Sequence, residues 1–320
     1  MAISLAKRPF GKTAFQVSPL CVGAAPLGSM PESFGYEVNE AQAFATLRAF
    51  FHSPINFLDT AASYGDGESE RRIGVVLKEL GGVPQGFVIA SKADRDMTTG
   101  DFSGEQMKRS VERTLKLLGV SYLPIMHLHD PEWTTFENVM SKGGPLEVLR
   151  KFRDQKVIGT IGVAGGPVGM EIQYVKTGAF DALITHNRFC LLNRSADELL
   201  TLAHGMGMAV LNAAPYGSGV LAKGPQAYPR FAYQDASPLV MERVVKMDEL
   251  CRAANIPLAA AALQFSLRDP RITSTIVGVS KPERIQQTID LAAVTIPDDL
   301  WAKLDAVGFD VDDPEASRWS

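Results

Sequence analysis

Four residues stand where they could move a proton. Asp59 and Tyr64 bracket Asp59-Thr60-Ala61-Ala62-Ser63-Tyr64, Lys92 ends Ile89-Ala90-Ser91-Lys92, and a histidine lies in His127-Leu128-His129-Asp130-Pro131. A tyrosine phenol ordinarily ionises near pH ~10, too high for ready proton release at neutral pH. A nearby ammonium favours the phenolate, and a carboxylate can hold that lysine in place and charged. A neutral histidine can donate a hydrogen bond to a substrate carbonyl and orient it. Such a set suits moving a proton on or off an oxygen while a hydride moves at carbon. Taken singly, each residue has an ordinary explanation: a strand-end lysine is commonly a solvated terminus, and an aspartate there a helix or turn cap. Alternation puts His127 and His129 on one strand face, so spacing leaves open which of them reaches the rim. His129 lies nearer the strand end, and His127 is expected inside.

Bringing these groups together requires several strands to end on one rim. Apolar runs at 19–25, 56–61, 87–91, 122–128, 158–163, 181–187, 209–213 and 274–277 read as eight strands. Helical patterns lie between them, at about 40–53, 68–80, 104–118, 146–155, 169–176 and 196–204. Eight alternating units count out an α/β fold, a (β/α)8 TIM barrel, whose active sites lie at the C-terminal strand ends. A doubly wound sheet is the structural rival, but Gly23-Ala-Ala-Pro-Leu-Gly28 does not fit its Gly-x-Gly-x-x-Gly turn. Residues before Pro19 suggest an N-terminal hairpin turning at Gly11-Lys12 and plugging the barrel bottom. An insertion at about 217–271 carries extra helices between strands seven and eight (239–254 and 258–267), placed to form a lid or cofactor clamp. No repeat or linker interrupts the chain, so 1–320 is expected to be a single domain.

Composition narrows the function classes. The formal charge of -4 offers no electrostatic reason to expect nucleic acid or an anionic membrane surface. Three widely spaced cysteines form no metal or redox motif, no metal is expected, and their sparse odd count suits a reducing compartment. No stretch approaches the ~20 apolar residues of a spanning helix, and the first residues lack a secretory core. A soluble, cytoplasmic protein is the expectation; its oligomeric state is not legible.

Asn56-Phe-Leu-Asp-Thr-Ala-Ala-Ser-Tyr-Gly-Asp-Gly-Glu-Ser-Glu70 closely resembles the signature of the aldo-keto reductase family. Val88-Ile-Ala-Ser-Lys92 is similar to the segment carrying the family lysine, and 117–131 to the fourth strand, whose His-x-Pro ending points to His129. The resemblance runs from Arg8 to beyond Gln287. It implies that Tyr64 is the general acid in reduction and the base in oxidation. Lys92, paired to Asp59, would lower the tyrosine pKa, and His129 would orient the substrate oxygen.

The family binds an extended nicotinamide dinucleotide without a glycine fingerprint, and several segments here are similar to its cofactor contacts. They are Gly162-Val-Ala-Gly165, Thr185-His-Asn-Arg-Phe189, 212–221 and Val277-Gly-Val-Ser-Lys-Pro-Glu-Arg284. The resemblance makes Asn187, Gly217, Ser218, Gly219, Leu221, Gly278, Ser280, Lys281, Arg284 and Gln287 the expected cofactor residues. Backbone amides at 217–221 suit a pyrophosphate cradle, because successive N–H groups bind anions. Ala164 and Gly165 stand where many relatives have Ser-Asn for the carboxamide. His186 or Asn187 replaces a glutamine, and Ala213 an aromatic. Lys281 and Arg284 could hold a 2′-phosphate. The usual lysine after the eighth strand is Gly278, which tips the expectation toward NAD over NADP.

Gly23-Ala-Ala-Pro-Leu-Gly-Ser29 and Asn187-Arg-Phe-Cys-Leu-Leu-Asn-Arg194 resemble the subgroup of D-threo-aldose (L-fucose) and L-galactose 1-dehydrogenases and pyridoxal 4-dehydrogenase. That resemblance implies oxidation of a cyclic hemiacetal to a lactone, with a small carbonyl or sugar as substrate. Trp133 and Phe102 are the expected pocket walls, or else loop anchors. Two alternatives accompany this reading: an NADPH-dependent aldehyde or ketone reductase, and a dinucleotide-binding regulatory subunit without significant turnover.

Overall fold

Eight parallel strands close into a barrel in the computed structural model, which describes residues 5–316. They are β1 (Leu20–Gly23), β2 (Phe57–Asp59), β3 (Val88–Ala93), β4 (Leu123–His129), β5 (Ile158–Ala164), β6 (Ala182–His186), β7 (Ala209–Ala213) and β8 (Ser274–Gly278). β8 pairs with both β7 and β1 and so completes the ring. Strands buried on both faces lose the polar alternation of an open sheet, which is why they read as short continuous apolar runs.

Helices α1 (Glu40–Phe51), α2 (Glu68–Glu79), α3 (Gly104–Leu118), α4 (Pro145–Asp154), α5 (Val168–Lys176) and α6 (Asp197–Gly205) follow the first six strands. α3 illustrates the local logic. Met107, Val111, Thr114 and Leu118 fall on one face and are buried, Ser103 accepts the Gln106 N–H, and Gly119 ends the helix at φ 68°. Helices α2 and α3 pack so closely that a Cβ on Gly74 would lie 2.0 Å from the Leu117 carbonyl oxygen.

The rest of the shell comprises α7 (Pro238–Ala253), α8 (Leu258–Leu267), α9 (Glu283–Ala293) and α10 (Asp298–Val307). The two helices expected in the insertion differ in role. Almost every residue of α8 is buried and it takes the barrel-helix place before β8, whereas α7 packs outward against α10. The insertion also contains a small hairpin, Arg230–Phe231 with Gln234–Asp235.

At the opposite end, Arg8–Pro9 pairs with Gln16–Val17 through a turn at Gly11, φ 54°. Phe10 is wholly buried, stacked on Phe15 at 5.0 Å and edge-on to Phe57 at 5.8 Å. Phe57 opens β2, so the hairpin plugs the N-terminal mouth as expected, leaving the C-terminal rim open. A feature absent from the sequence reading crosses that rim. The tail after α10 is tied down by buried Arg188, which pairs with Asp313 at 2.7 Å and Glu315 at 3.0 Å.

Candidate active site

Register brings the proton-bearing groups to one rim. Asp59 lies opposite Ala90, Lys92 opposite His127, and His129 opposite Ala164 on successive strands. Lys92 Nζ donates to Asp59 Oδ2 at 2.6 Å, to the Thr60 carbonyl at 2.8 Å and to Tyr64 Oη at 3.1 Å. Tyr64 rides on the loop after β2. That loop meets the loop after β1 at Gly65, φ 61°, where a Cβ would fall 2.1 Å from the Gly28 carbonyl oxygen. A side chain there would push Tyr64 off the rim. The Tyr64 and His129 rings sit edge to face, with centroids 5.9 Å apart. All four expected residues therefore converge.

Burial dominates the electrostatics of this group. It opposes the charge on Lys92, but Asp59 and Tyr64 hold the ammonium above its ordinary value. Burial also raises the Asp59 carboxyl against the pull of Lys92. Lys92 does pull Tyr64 down, but desolvation of the phenolate, aided by Asp59, outweighs it and leaves the phenol above its ordinary value. His127 lies within the barrel, fully buried and held neutral by burial and by Lys92, with neither ring nitrogen partnered among the described residues.

A cleft of about 520 Å³ opens from Tyr64 and His129. It runs past Ala164, Gly165, His186 and Ala213, then Ser218 and Gly219, to Gly278, Ser280, Arg284 and Gln287. Other expected cofactor residues stand off it. Gly217 and Leu221 are buried beneath, and their N–H groups, with that of Gly219, donate to the Ala214 and Tyr216 carbonyls. Asn187 is also buried; its Oδ1 accepts from Ser218 Oγ at 3.0 Å, and its Nδ2 has no partner among the described residues. Lys281 is exposed and outside the lining.

The lining fits an extended dinucleotide. Lys223, held 4.1 Å over the Tyr228 ring, and Arg284 both face the distal cleft. Burial and the neighbouring Arg284 keep the Lys223 ammonium below its ordinary value, so an anionic group placed between the two cations would be favoured. Gly219, at φ 127°, keeps the floor open beside Tyr228. Ser218, Gly219, Lys223 and Arg284 would hold the phosphates, and Ala164, Gly165 and Ala213 leave room for the nicotinamide. Among the described residues, no group of three His, Cys, Asp or Glu could hold a metal ion, and no single helix is long and apolar enough to cross a membrane.

The pocket walls differ from expectation. Phe102 is buried in the core, and Trp133 is half-exposed under the Arg95 guanidinium at 4.2 Å; neither lines the cleft. Tyr36, Tyr216, Tyr228 and Tyr233 line it instead. The sequence reading also passed over Asp94, whose Oδ1 lies 2.6 Å from His129 Nδ1. The signal was present in Lys92-Ala93-Asp94, since alternation sends Asp94 to the same face as Lys92.

Comparison with known proteins agrees with this fold. Residues 19–308 match the aldo/keto reductase family. Pyridoxal 4-dehydrogenase of Microbacterium luteolum is 29% identical over 94% of this chain and 97% of its own length. L-galactose dehydrogenase of Arabidopsis thaliana is 30% identical over 95% and 90%, and D-threo-aldose 1-dehydrogenase of a Pseudomonas species 27% over 90% and 93%. The holo structure of an aldo-keto reductase from Bacillus halodurans superposes with a TM-score of 0.79, covering 98% of this chain and 100% of that one at 19% identity. The chain belongs to the aldo/keto reductase family and is an NAD(P)-dependent oxidoreductase.

Proposed function

We propose that the protein oxidises a cyclic hemiacetal, an aldose of the L-fucose or L-galactose type or pyridoxal, to a lactone, with Tyr64 as the acid–base group. One observation carries the role of Tyr64. An ammonium has three N–H donors, and those of Lys92 go to Asp59, Thr60 and Tyr64 Oη. The tyrosine oxygen thus accepts from Lys92, and its own O–H is left to face the cleft. In oxidation the phenolate takes the anomeric hydroxyl proton as hydride leaves the same carbon, and C–O becomes C=O. In reduction the phenol returns that proton. Lys92 steadies the phenolate and His129 orients the reacting oxygen. A bound nicotinamide supplies the hydride acceptor or donor.

The substrate class draws on the three dehydrogenase relatives and on the polar end of the cleft. Asp130 and His186 line it near Tyr64 together with Tyr233, and Glu315 from the tail lies 3.1 Å from His186 Nε2. Such a wall suits a ligand rich in hydroxyl groups. For the cofactor, NAD is favoured. Lys281 stands off the cleft, and Arg284 Nη1 is bonded to Gln287 Oε1 at 2.7 Å. Rates with L-fucose, L-galactose, pyridoxal and simple aldehydes, each with NAD and NADP, test the reading. Sugar or pyridoxal oxidation with NAD is expected to be fastest. Faster reduction of simple aldehydes with NADPH would instead favour a carbonyl reductase, a reading that the raised phenol of Tyr64 suits, because a protonated phenol is ready to act as an acid.

A further inference from the structure

Asp94 grips His129 from behind. It is 3% exposed, and its Oδ1 lies 2.6 Å from His129 Nδ1. Its Oδ2 accepts the backbone N–H of Ser63, the neighbour of Tyr64, at 2.8 Å. Its own backbone is fastened by Ser110 Oγ, which accepts its N–H at 3.0 Å, and by Gln106 Nε2, which donates to its carbonyl at 3.1 Å. The carboxylate is therefore rigid and touches both halves of the proton site.

An ionised carboxylate only accepts hydrogen bonds, so the contact with Asp94 places a proton on His129 Nδ1. A neutral imidazole has one N–H, and here it faces Asp94. Its Nε2 then presents a lone pair to the cleft and cannot donate to a substrate oxygen. Donation from Nε2 requires the doubly protonated ring.

We propose that Asp94 is a positioning residue that makes His129 work as an imidazolium, so that the reacting oxygen meets a cationic Nε2–H beside the Tyr64 phenol. The inference rests on the reading of His129 as the group that orients the substrate oxygen. The charges around the ring favour it. Lys92 on β3 and Asp94 just past it face the ring, as do Asp59 from β2, Tyr64 from the loop after β2, Asp130 and Glu132 from the turn after β4, and neutral His127 from its own strand. Asp130 Oδ1 stands 3.4 Å from Nε2. Burial and Lys92 oppose protonation, but Asp130 and Asp94 outweigh them and hold the imidazole above its ordinary value. Asp94 stays below the usual carboxylate range despite burial, because His129 and Ser63 stabilise its charge. A cationic donor stabilises the negative charge that develops on a carbonyl oxygen during reduction more strongly than a neutral one.

Long-range proton–nitrogen NMR of the imidazoles in the cofactor-free, full-length protein tests this directly, with His129→Gln identifying the signal. His129 is expected to carry both protons at pH 6.5, to titrate above the reference value of about 6.5, and to keep its proton on Nδ1 afterwards. In Asp94→Asn the negative charge is gone, and the titration midpoint is expected to fall by about one to three units. The alkaline limb of kcat/KM for carbonyl reduction should fall by the same shift. A merely structural Asp94 would lower kcat and leave both midpoints in place. A wild-type ring that is neutral at pH 6.5 with its proton on Nε2 overturns the proposal, even if Asp94→Asn does not fold. Tyr64→Phe separates the two readings, since it should remove turnover while His129 still titrates high.

Discussion

Lys92 Nζ lies 2.6 Å from Asp59 Oδ2 across 33 residues of sequence, and both side chains are almost wholly buried. The contact follows from barrel register. Asp59 is level with Ala90, so Lys92 sits one pleat higher on the same inner face, within reach of both the carboxylate and Tyr64. Burying one ion without the other is the expensive arrangement, because desolvation is then uncompensated.

Asp59→Asn is therefore expected to destabilise the protein by about 3–5 kcal/mol, the usual penalty for breaking a buried pair. Denaturant unfolding reads this directly. The double variant Asp59→Asn/Lys92→Met should recover much of the stability and none of the activity. Equal losses in the single and double variants would mean that the pair is not coupled.

Tyr64→Phe removes one hydroxyl from a site whose other members stay in place. Turnover is expected to fall by at least about 10²–10⁴-fold, the range for a lost general acid or base. Dinucleotide affinity, followed by the quenching of protein fluorescence, should change little. Near-wild-type turnover would remove Tyr64 from the mechanism.

Glu70 has no exposed surface, and its carboxyl is pushed up to about 7 by burial, against a hydrogen bond from Ser91. The sign follows from proton linkage. The native state holds this proton more tightly than the unfolded chain, so stability falls as pH rises from the ordinary glutamate value of about 4.3 to about 7, then levels off. The span corresponds to roughly 3–4 kcal/mol. Glu70→Gln should flatten that slope and be the more stable form at pH 8. A wild-type stability that rises between pH 5 and 7 in parallel with the variant's would contradict the assignment.

Arg188 is fully buried and holds Asp313 and Glu315 across 125 and 127 residues of sequence. Arg188→Met removes the buried guanidinium that both tail carboxylates meet and should cost about 3–5 kcal/mol. Glu315 also touches His186 on the cleft wall, so KM for a sugar substrate should rise more than kcat falls. Unchanged thermal unfolding would show that the tail is held by its backbone contacts alone.

Much of the architecture is legible in the sequence, because periodicity and turn chemistry are local. The eight apolar runs, the Gly11 hairpin with its Phe10 plug, and the helices at 238–253 and 258–267 all follow from nearest neighbours along the chain. The proton site is legible for the same reason: Asp59, Lys92 and His129 sit at the ends of successive strands, and barrel geometry sends successive strand ends to one rim. Long-range packing decided the remainder. Alternation puts Asp94 on the face of Lys92, but no spacing rule pairs it with His129, or Arg188 with Glu315, because those contacts depend on register and on the paths of loops and tail. Only the fold shows that Lys281 turns away while Lys223 and Arg284 face the cleft, and that tyrosines from the loops replace Trp133 and Phe102 as its walls. The protonation of Tyr64 belongs to the same class. Residue types supply the lysine that lowers its pKa, but burial, which raises it further, exists only once the barrel has closed.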